Sequence, residues 1–334
     1  DEVEEVVAVG TRREARSVGD SPAPVDIITG SDFVNQGAMD LPDMIRTLVP
    51  SFNVNTQPIS DAATLIRPAN LRGLPPDNML ILVNGKRRHR GAVISFLGSG
   101  ISDGAQGPDI SAIPSIALKQ VEVLRDGASA QYGSDAIAGI MNFVLRDNSE
   151  GTQLEIRTGE YKEGDGDAWR VAANLGMPFT SDGFANLSVE LQDSKATSRS
   201  VQRADAQGLY DGGNTAIWNY PEPAQIWGSP DVSDDYKFVV NLGLSLDESK
   251  DFYLFGNYGE RKVLGGFFFR TPTNRGGVFS TDGGVTRLVG DVAEATTGAA
   301  RTCPVVPVPS SGAGSPSDTA LAAIKANPNC FPKK

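Results

Sequence analysis

Residues 120–146 read QVEVLRDGASAQYGSDAIAGIMNFVLR, two short apolar runs around a loop that has almost no side-chain volume. Val121, Val123 and Leu124 open the segment, and Ile137, Ile140, Met141, Phe143, Val144 and Leu145 close it. Between them stand Gly127, Ala128, Ser129, Ala130, Gly133, Ser134, Ala136, Ala138 and Gly139. Such a run suits backbone that approaches other backbone closely or turns through positive φ. A tight pair of strands is therefore expected here, and function depends on what its loop packs against.

The rest of the chain changes character near residues 147–151. Before that boundary, short apolar runs accompany a helical pattern at Leu41–Leu48, where Leu41, Met44, Ile45 and Leu48 share one face and Asp40 can cap. After it, period-two segments take over at 153–158, 169–175, 185–191, 237–246 and 252–258. Residues 178–183 and 247–250 make short turns between these segments, whereas 195–233 and 265–334 are long and expected to be irregular. Membrane barrels show this asymmetry, with short turns on the periplasmic side and long loops outside.

Composition fits that reading. The 334 residues are 40% hydrophobic with a mean hydropathy of −0.21, and no apolar run approaches the roughly 18 residues of a membrane-spanning helix. Barrel strands need only about 9–11 residues of alternating polarity. A net charge of −11 and a pI near 4.7 argue against nucleic acid, since phosphate binding needs clustered Lys and Arg. The start, Asp1-Glu2-Val3-Glu4-Glu5, lacks the basic and then apolar pattern of a secretion leader, so the chain is expected to begin after cleavage.

The opening segment, with Val121-Glu122-Val123-Leu124-Arg125 followed by Tyr132-Gly133, resembles the closing signature of the plug domain of TonB-dependent outer-membrane receptors. Asp126 and Gly127 stand where that family usually has Gly-Pro. Two further pieces agree in order and spacing: Asn70-Leu71-Arg72-Gly73 is similar to the family's Ile-Arg-Gly, and Met79-Leu80-Ile81-Leu82-Val83-Asn84-Gly85 to its Leu-Asp-Gly strand and turn. Ser21-Pro22-Ala23-Pro24-Val25 and the stretch from Leu41 to Pro50 fit the start of the same domain.

The resemblance implies a mixed α/β plug inside a transmembrane antiparallel β-barrel, which in this family has about 22 strands. Residues 1–15 would be TonB box and linker, 16–147 the plug, and 148–334 about the first five strands with their external loops. Five strands cannot close a barrel, and an open edge in lipid leaves backbone groups unpaired. The remaining strands are thus expected either on a separate chain after a nick or beyond Lys334. Residues Glu4, Glu5, Val6, Val7, Ala8 and Val9 resemble the TonB box, and their alternating β-branched residues suit a segment that adds to a partner's sheet edge. Arg72 and Arg125 fall where the family places arginines that lock the plug on barrel carboxylates, a task suited to Arg's planar fork.

The expected partners are TonB with its inner-membrane energising complex, outer-membrane lipid and a solute ligand, without nucleic acid or any cofactor. The expected function is proton-motive-force-driven import of a ferric siderophore or other large solute across the bacterial outer membrane; oligosaccharide, cobalamin and peptide are alternative cargoes. Apical plug loops would span 55–64, with Gln57 and Asp61, and 86–109, with Arg87, Arg88, His89 and Arg90. That basic cluster can attract an anionic ligand, or serve as a solvated turn in an acidic protein. Trp218 and Trp227 fall in the long second external loop, where rings either stack on ligand or join the aromatic girdle of a barrel.

Chemistry of other kinds finds little support. Cys303 and Cys330 lie in a Pro-, Ser- and Gly-rich tract without metal-ligand spacing, so a disulfide is expected, with two free thiols as the alternative. His89 is the only histidine, Asp165-Gly166-Asp167 reads as a turn rather than a calcium loop, and no metal site is expected. Neither GxSxG nor HExxH occurs, so an extracytoplasmic hydrolase is disfavoured and no enzyme is expected. A structural or adhesive barrel remains the non-transport alternative, although it would not require a plug.

Overall fold

A computed structural model describes residues 6–7, 9, 16–17, 25–54, 64–95, 100–202, 204, 228–247, 249–266, 279–282, 285–288 and 306–307. Gln57, Asp61, Trp218, Trp227, Cys303, Cys330, Glu4, Glu5 and Ala8 lie outside the described residues. Two short strands come first: β1 (Val6–Val7) pairs antiparallel with β2 (Arg16–Ser17).

The plug is built on a mixed five-stranded sheet. Its strands are β3 (Val25–Thr29), β6 (Met79–Val83), β7 (Lys86–Arg87), β8 (Leu118–Leu124) and β9 (Gly139–Leu145), in the order β3-β8-β9-β6-β7. Only β6 and β9 run parallel; the other neighbours are antiparallel. All five residues of β6 are buried, as expected of a strand covered on both faces. Between β6 and β7, Asn84 (φ 47°) and Gly85 (φ 73°) both take positive φ, the geometry of a two-residue I′ hairpin turn. A small pair, β4 (Phe52–Val54) with β5 (Ala69–Leu71), stands beside the sheet.

Helix α1 (Gly30–Val34) follows β3 directly, and helix α2 forms at Leu41–Leu48 as the periodicity predicts. Asp40 is its N-cap, accepting from the Asp43 N–H at 3.1 Å. Met44 and Ile45 enter a core that also holds Phe33, Phe52, Leu71, Ile81, Val121, Val123, Met141 and Phe143. On the other side of the sheet Val9 packs with Val25, Leu80, Leu82, Leu124, Ala136 and Ile140.

The loop read from its small residues is a short helix, α3 (Ser129–Tyr132), and a 3₁₀ turn at Ser134–Ala136. Ile137, expected in the second apolar run, is 46% exposed instead, because the strand begins only at Gly139. Gly139 has φ 140°, and a Cβ there would stand 2.3 Å from the Leu124 carbonyl and 2.8 Å from Leu71 Cδ2.

The wall is a five-stranded antiparallel meander: β10 (Thr152–Gly159), β11 (Ala168–Pro178), β12 (Gly183–Ser194), β13 (Asp231–Asp247) and β14 (Lys250–Leu264), paired in that order. All five period-two segments are strands. They extend beyond the sequence expectation because backbone pairing continues through Gly and polar residues that break the apolar alternation. The two faces are inverted relative to a soluble sheet. Arg170, Asn174, Asn186, Ser188, Glu190, Lys237 and Asn241 point toward the plug and are buried, whereas Leu154, Ile156, Val189, Leu191, Phe238, Leu254 and Tyr258 are exposed on the far side. An apolar outer face with a polar lumen face is the pattern of a membrane barrel. Among the described residues no further strand pairs with the outer edges of β10 and β14.

Plug and wall form one compact unit, residues 1–197 with 229–265. The second unit, 198–228 with 266–334, contains a three-stranded sheet of β15 (Phe279–Asp282), β16 (Val285–Leu288) and β17 (Val306–Pro307). The 265–334 tract was expected to be irregular, and this sheet corrects that. Gly283 and Gly284 separate its first two strands, a hairpin signal masked by the surrounding Gly- and Ser-rich composition.

The close approach at Gly139 gives a stability test. Replacing Gly139 by Ala should cost about 2–5 kcal/mol, from overpacking and a strained φ together. Gly37→Ala, with nothing within 4 Å of its added Cβ, should stay within about 0.5 kcal/mol by thermal or denaturant unfolding of the purified protein.

Candidate functional site: the seam between plug and wall

Side chains alternate along each wall strand, so one parity of β10 to β14 delivers a row of charges to the plug side. Arg157 and Glu155 approach at 3.4 Å, and Glu155 takes Arg170 at 2.9 Å. Arg170 holds Glu190 at 2.6 Å, and Lys237 holds the other Glu190 oxygen at 2.6 Å. Lys237 lies 3.6 Å from Asp235, which accepts from Arg261 at 2.7 and 2.9 Å. The chain crosses all five strands. Arg170 is fully buried, and its remaining donor reaches the plug at Ser115 Oγ, 2.7 Å away.

These seven groups comprise four cations and three carboxylates, an excess of one positive charge. The plug carries a charged cluster of its own. Arg67 bridges two carboxylates, donating to Asp40 and, at 3.0 Å, to Asp43. Burial alone would push Asp40 up, but Arg67 and then wall Arg261 hold its carboxyl down at about 2. Burial, followed by the Asp40 charge, pushes its neighbour Asp43 upward. Arg46 also reaches Asp43, at 3.3 Å, so two carboxylates and two cations balance within the plug cluster.

Neutral contacts reinforce the seam. Arg157 donates to the carbonyls of Phe33, Val34, Gln36 and Ala38 at 3.0, 3.1, 2.6 and 3.2 Å. The β6–β7 turn is tied to the wall through Asn84 Nδ2 on Asn241 Oδ1 at 3.2 Å, and Asn241 donates on to the Arg146 carbonyl at 2.9 Å. Lys86 sits over the Tyr253 ring, 5.2 Å from its centroid. Toward the ends of β10–β14 that carry the long connections, a cavity of about 430 Å³ opens between plug and wall. Met39, Asp43 and Arg67 line it from the plug, with Gln192, Lys195 and Arg261 from the wall.

The sequence-predicted residues are distributed unevenly about this seam. Arg125 pairs with Asp26 at 2.6 Å, joining β8 to β3 inside the plug, with both side chains about half exposed. Arg72 occupies an exposed turn at φ 56°, its N–H on the Ser51 carbonyl at 2.7 Å. Within the basic loop, Arg87 binds Asp135 at 2.6 Å and the Tyr132 carbonyl, Arg90 lies 3.4 Å from Asp135, and Arg88 donates to wall Asn257 at 2.6 Å. His89 is exposed. At the N-terminus Val9 is buried and its N–H donates to Glu122 Oε2 at 3.2 Å, while Asn142 donates to the same oxygen at 3.0 Å. Sequence reading missed Arg157, Arg170, Glu190, Lys237, Arg67 and Asp40 as seam residues. The available signal was charge at inward parity on the period-two segments.

Comparison with known proteins agrees with this geometry. Residues 17–140 match the family described as TonB-dependent Receptor Plug Domain. Residues 17–140 are thus a plug domain of the kind found in TonB-dependent receptors. It is similar to a ferric enterobactin receptor, PirA, of Pseudomonas aeruginosa, with 31% identity over 160 residues, 47% of this chain and 21% of that relative. A vitamin B12 transporter of Vibrio cholerae is 29% identical over 164 residues, 48% of this chain and 24% of its own length. In fold, the chain resembles a mutant ferric enterobactin receptor of P. aeruginosa crystallised with enterobactin, at a TM-score of 0.53 and 20% identity, covering 72% of this chain and 33% of that one. The chain therefore spans only a fifth to a third of the relatives it matches.

With such a plug domain against the wall, the chain should tolerate loss of a surface pair and fail on loss of a buried one. Glu190→Ala leaves Arg170 and Lys237 buried without their shared carboxylate and should cost about 3–5 kcal/mol, whereas Asp26→Ala should cost less than about 1 kcal/mol. Urea unfolding in detergent reads both. The plug cluster also sets an acid response. Asp40 stays ionised in the fold to about pH 2 but takes up a proton near 3.8 when unfolded. Its contribution, roughly 2 kcal/mol, is complete above pH 4 and disappears as the pH falls through 2. Asp43, shifted upward, works in the opposite direction. Melting temperatures followed from pH 5 to pH 2 should fall less steeply for Asp40→Asn than for the parent.

Proposed function

We propose that this chain serves as the plug and part of the wall of a receptor that imports a nutrient, a ferric siderophore or another large solute, across the bacterial outer membrane. The proton-motive force drives the import through TonB. A plug held by hydrogen bonds on the buried, charge-lined face of a sheet whose other face is apolar carries this reading, because a channel closed this way needs an energised step to open. Transport of this kind involves no covalent chemistry. The relatives' names include ferric enterobactin receptors and a vitamin B12 transporter, so a siderophore is the leading cargo. Cobalamin, oligosaccharide and peptide are the alternatives. A purely structural or adhesive barrel is a poorer fit, since its wall would not need a plug.

TonB is proposed to take the segment containing Glu4, Glu5, Val6, Val7, Ala8 and Val9. Val6 and Val7 already lie in a two-residue strand pair, a weak association that a partner's sheet edge can replace. Ligand is proposed to bind at loops 55–64 and 86–109 and at Trp218 and Trp227. Of the loop arginines, three hold protein acceptors and offer less free charge than their number suggests. Arg72 and Arg125 keep their proposed lock role toward carboxylates outside the described strands. A Cys303–Cys330 disulfide is proposed for the external tract.

The experiment is deletion of residues 4–9 in the full receptor. Uptake of labelled ferric enterobactin should fall to background while its binding to cells stays unchanged. Undiminished uptake would favour the structural alternative, and uptake of labelled cobalamin but not ferric enterobactin by the intact receptor would reassign the cargo.

A further inference from the structure

We infer that Arg157 is a mechanical stop: the wall residue that decides where the plug ceases to yield when its N-terminus is pulled. The inference rests on the TonB-dependent reading for its biological meaning, but its physical content is independent of cargo. Four observations combine to support it.

The first is connectivity. Val9 is the first buried anchor described, β3 has β8 as its single sheet neighbour, and α1 follows β3 without a break. Tension applied ahead of Val9 therefore passes along β3 into α1. The second is the grip itself. A five-residue helix is too short to be stable alone, and its last carbonyls have no partners within the helix. The Arg157 guanidinium takes two of them, Phe33 and Val34, and two just beyond, Gln36 and Ala38.

The third observation is the mounting. Arg157 is held by Glu155, Glu155 by the fully buried Arg170, and Arg170 by Glu190, which Lys237 clamps from the next strand. Load on the guanidinium is thereby spread over four wall strands rather than one flexible side chain. The fourth is position. Arg157 meets the plug at residues 33–38, and just beyond them Asp40 is tied by Arg67 to the interior of the plug. Residues ahead of 38 can leave, exposing the free edge of β8, while α2 and the rest of the core stay seated. Arg157 acts as a positioning residue, since the carbonyls it holds belong to the plug and not to any cargo.

Force spectroscopy on the full receptor in outer-membrane vesicles, pulled by a handle at the N-terminus, tests the idea. Residues 9–38 comprise 29 steps along the chain, so at about 3.3–3.6 Å per residue the first event should release about 100 Å. In Arg157→Gln the first event should lengthen past this value and occur at lower force; in Arg157→Lys the length should persist at intermediate force. Lys119→Ala, which removes an exposed pair with Asp147, should change neither. An unaltered first event in Arg157→Gln would overturn the inference. If that variant does not assemble, a first event in the parent ending well past residue 38, or an Arg157→Lys trace identical to the parent's, would overturn it as well. A parent that stops at about 100 Å but imports nothing would instead count against the transport reading alone.

Discussion

The polar inner face of the wall has to be satisfied, and most of the architecture follows from that requirement. Arg170, Glu190, Asp235 and Lys237 are each within 3% of full burial, in a sheet whose opposite face is apolar. Buried charges persist only when paired and hydrogen-bonded. The pairing runs crosswise from β10 to β14, so no single strand could have satisfied its own groups. Removal of the plug would return water to this face and weaken every link in the chain. The plug is therefore the cover that keeps the wall's charges dry.

The seam is mostly charged and hydrogen-bonded, and the plug's own core sits behind it. Apolar continuity across the seam is limited: Val239 and the partly buried Phe255 are the wall residues that reach the plug's main cluster. Polar interfaces of this kind exchange direct contacts for water-mediated ones with little net loss, so a plug can be displaced without exposing its core. The geometry concentrates grip at a few places, namely Arg157 on α1, Ser115 on Arg170, and Asn84 on Asn241.

How much was legible beforehand depended on the kind of signal. Leu41–Leu48 was readable as a capped helix because Asp40 and the 3.6-residue spacing are local. The Asn84-Gly85 turn and the five wall strands were readable for the same reason, through turn chemistry and period two. The role of Arg125 was drawn from a motif position, but its guanidinium meets Asp26, a residue 99 positions away that β3 brings alongside β8. The basic run Arg87, Arg88 and Arg90 reads as free charge, yet Asp135 and Asn257 take it up across separations of 45 to 169 residues.

The sequence by itself determined the helix at Leu41–Leu48, the five wall strands with their order, and the small-residue run that includes Gly139, because each of these is set by periodicity, local sterics or backbone freedom. Tertiary structure alone decided which charges meet. Glu155, Arg157, Arg170, Glu190, Lys237 and Asp235 are scattered over about 80 residues, and no spacing rule joins them. They become one chain because antiparallel register aligns them across strands. Long-range electrostatic partners are products of register and packing, which local sequence encodes only jointly.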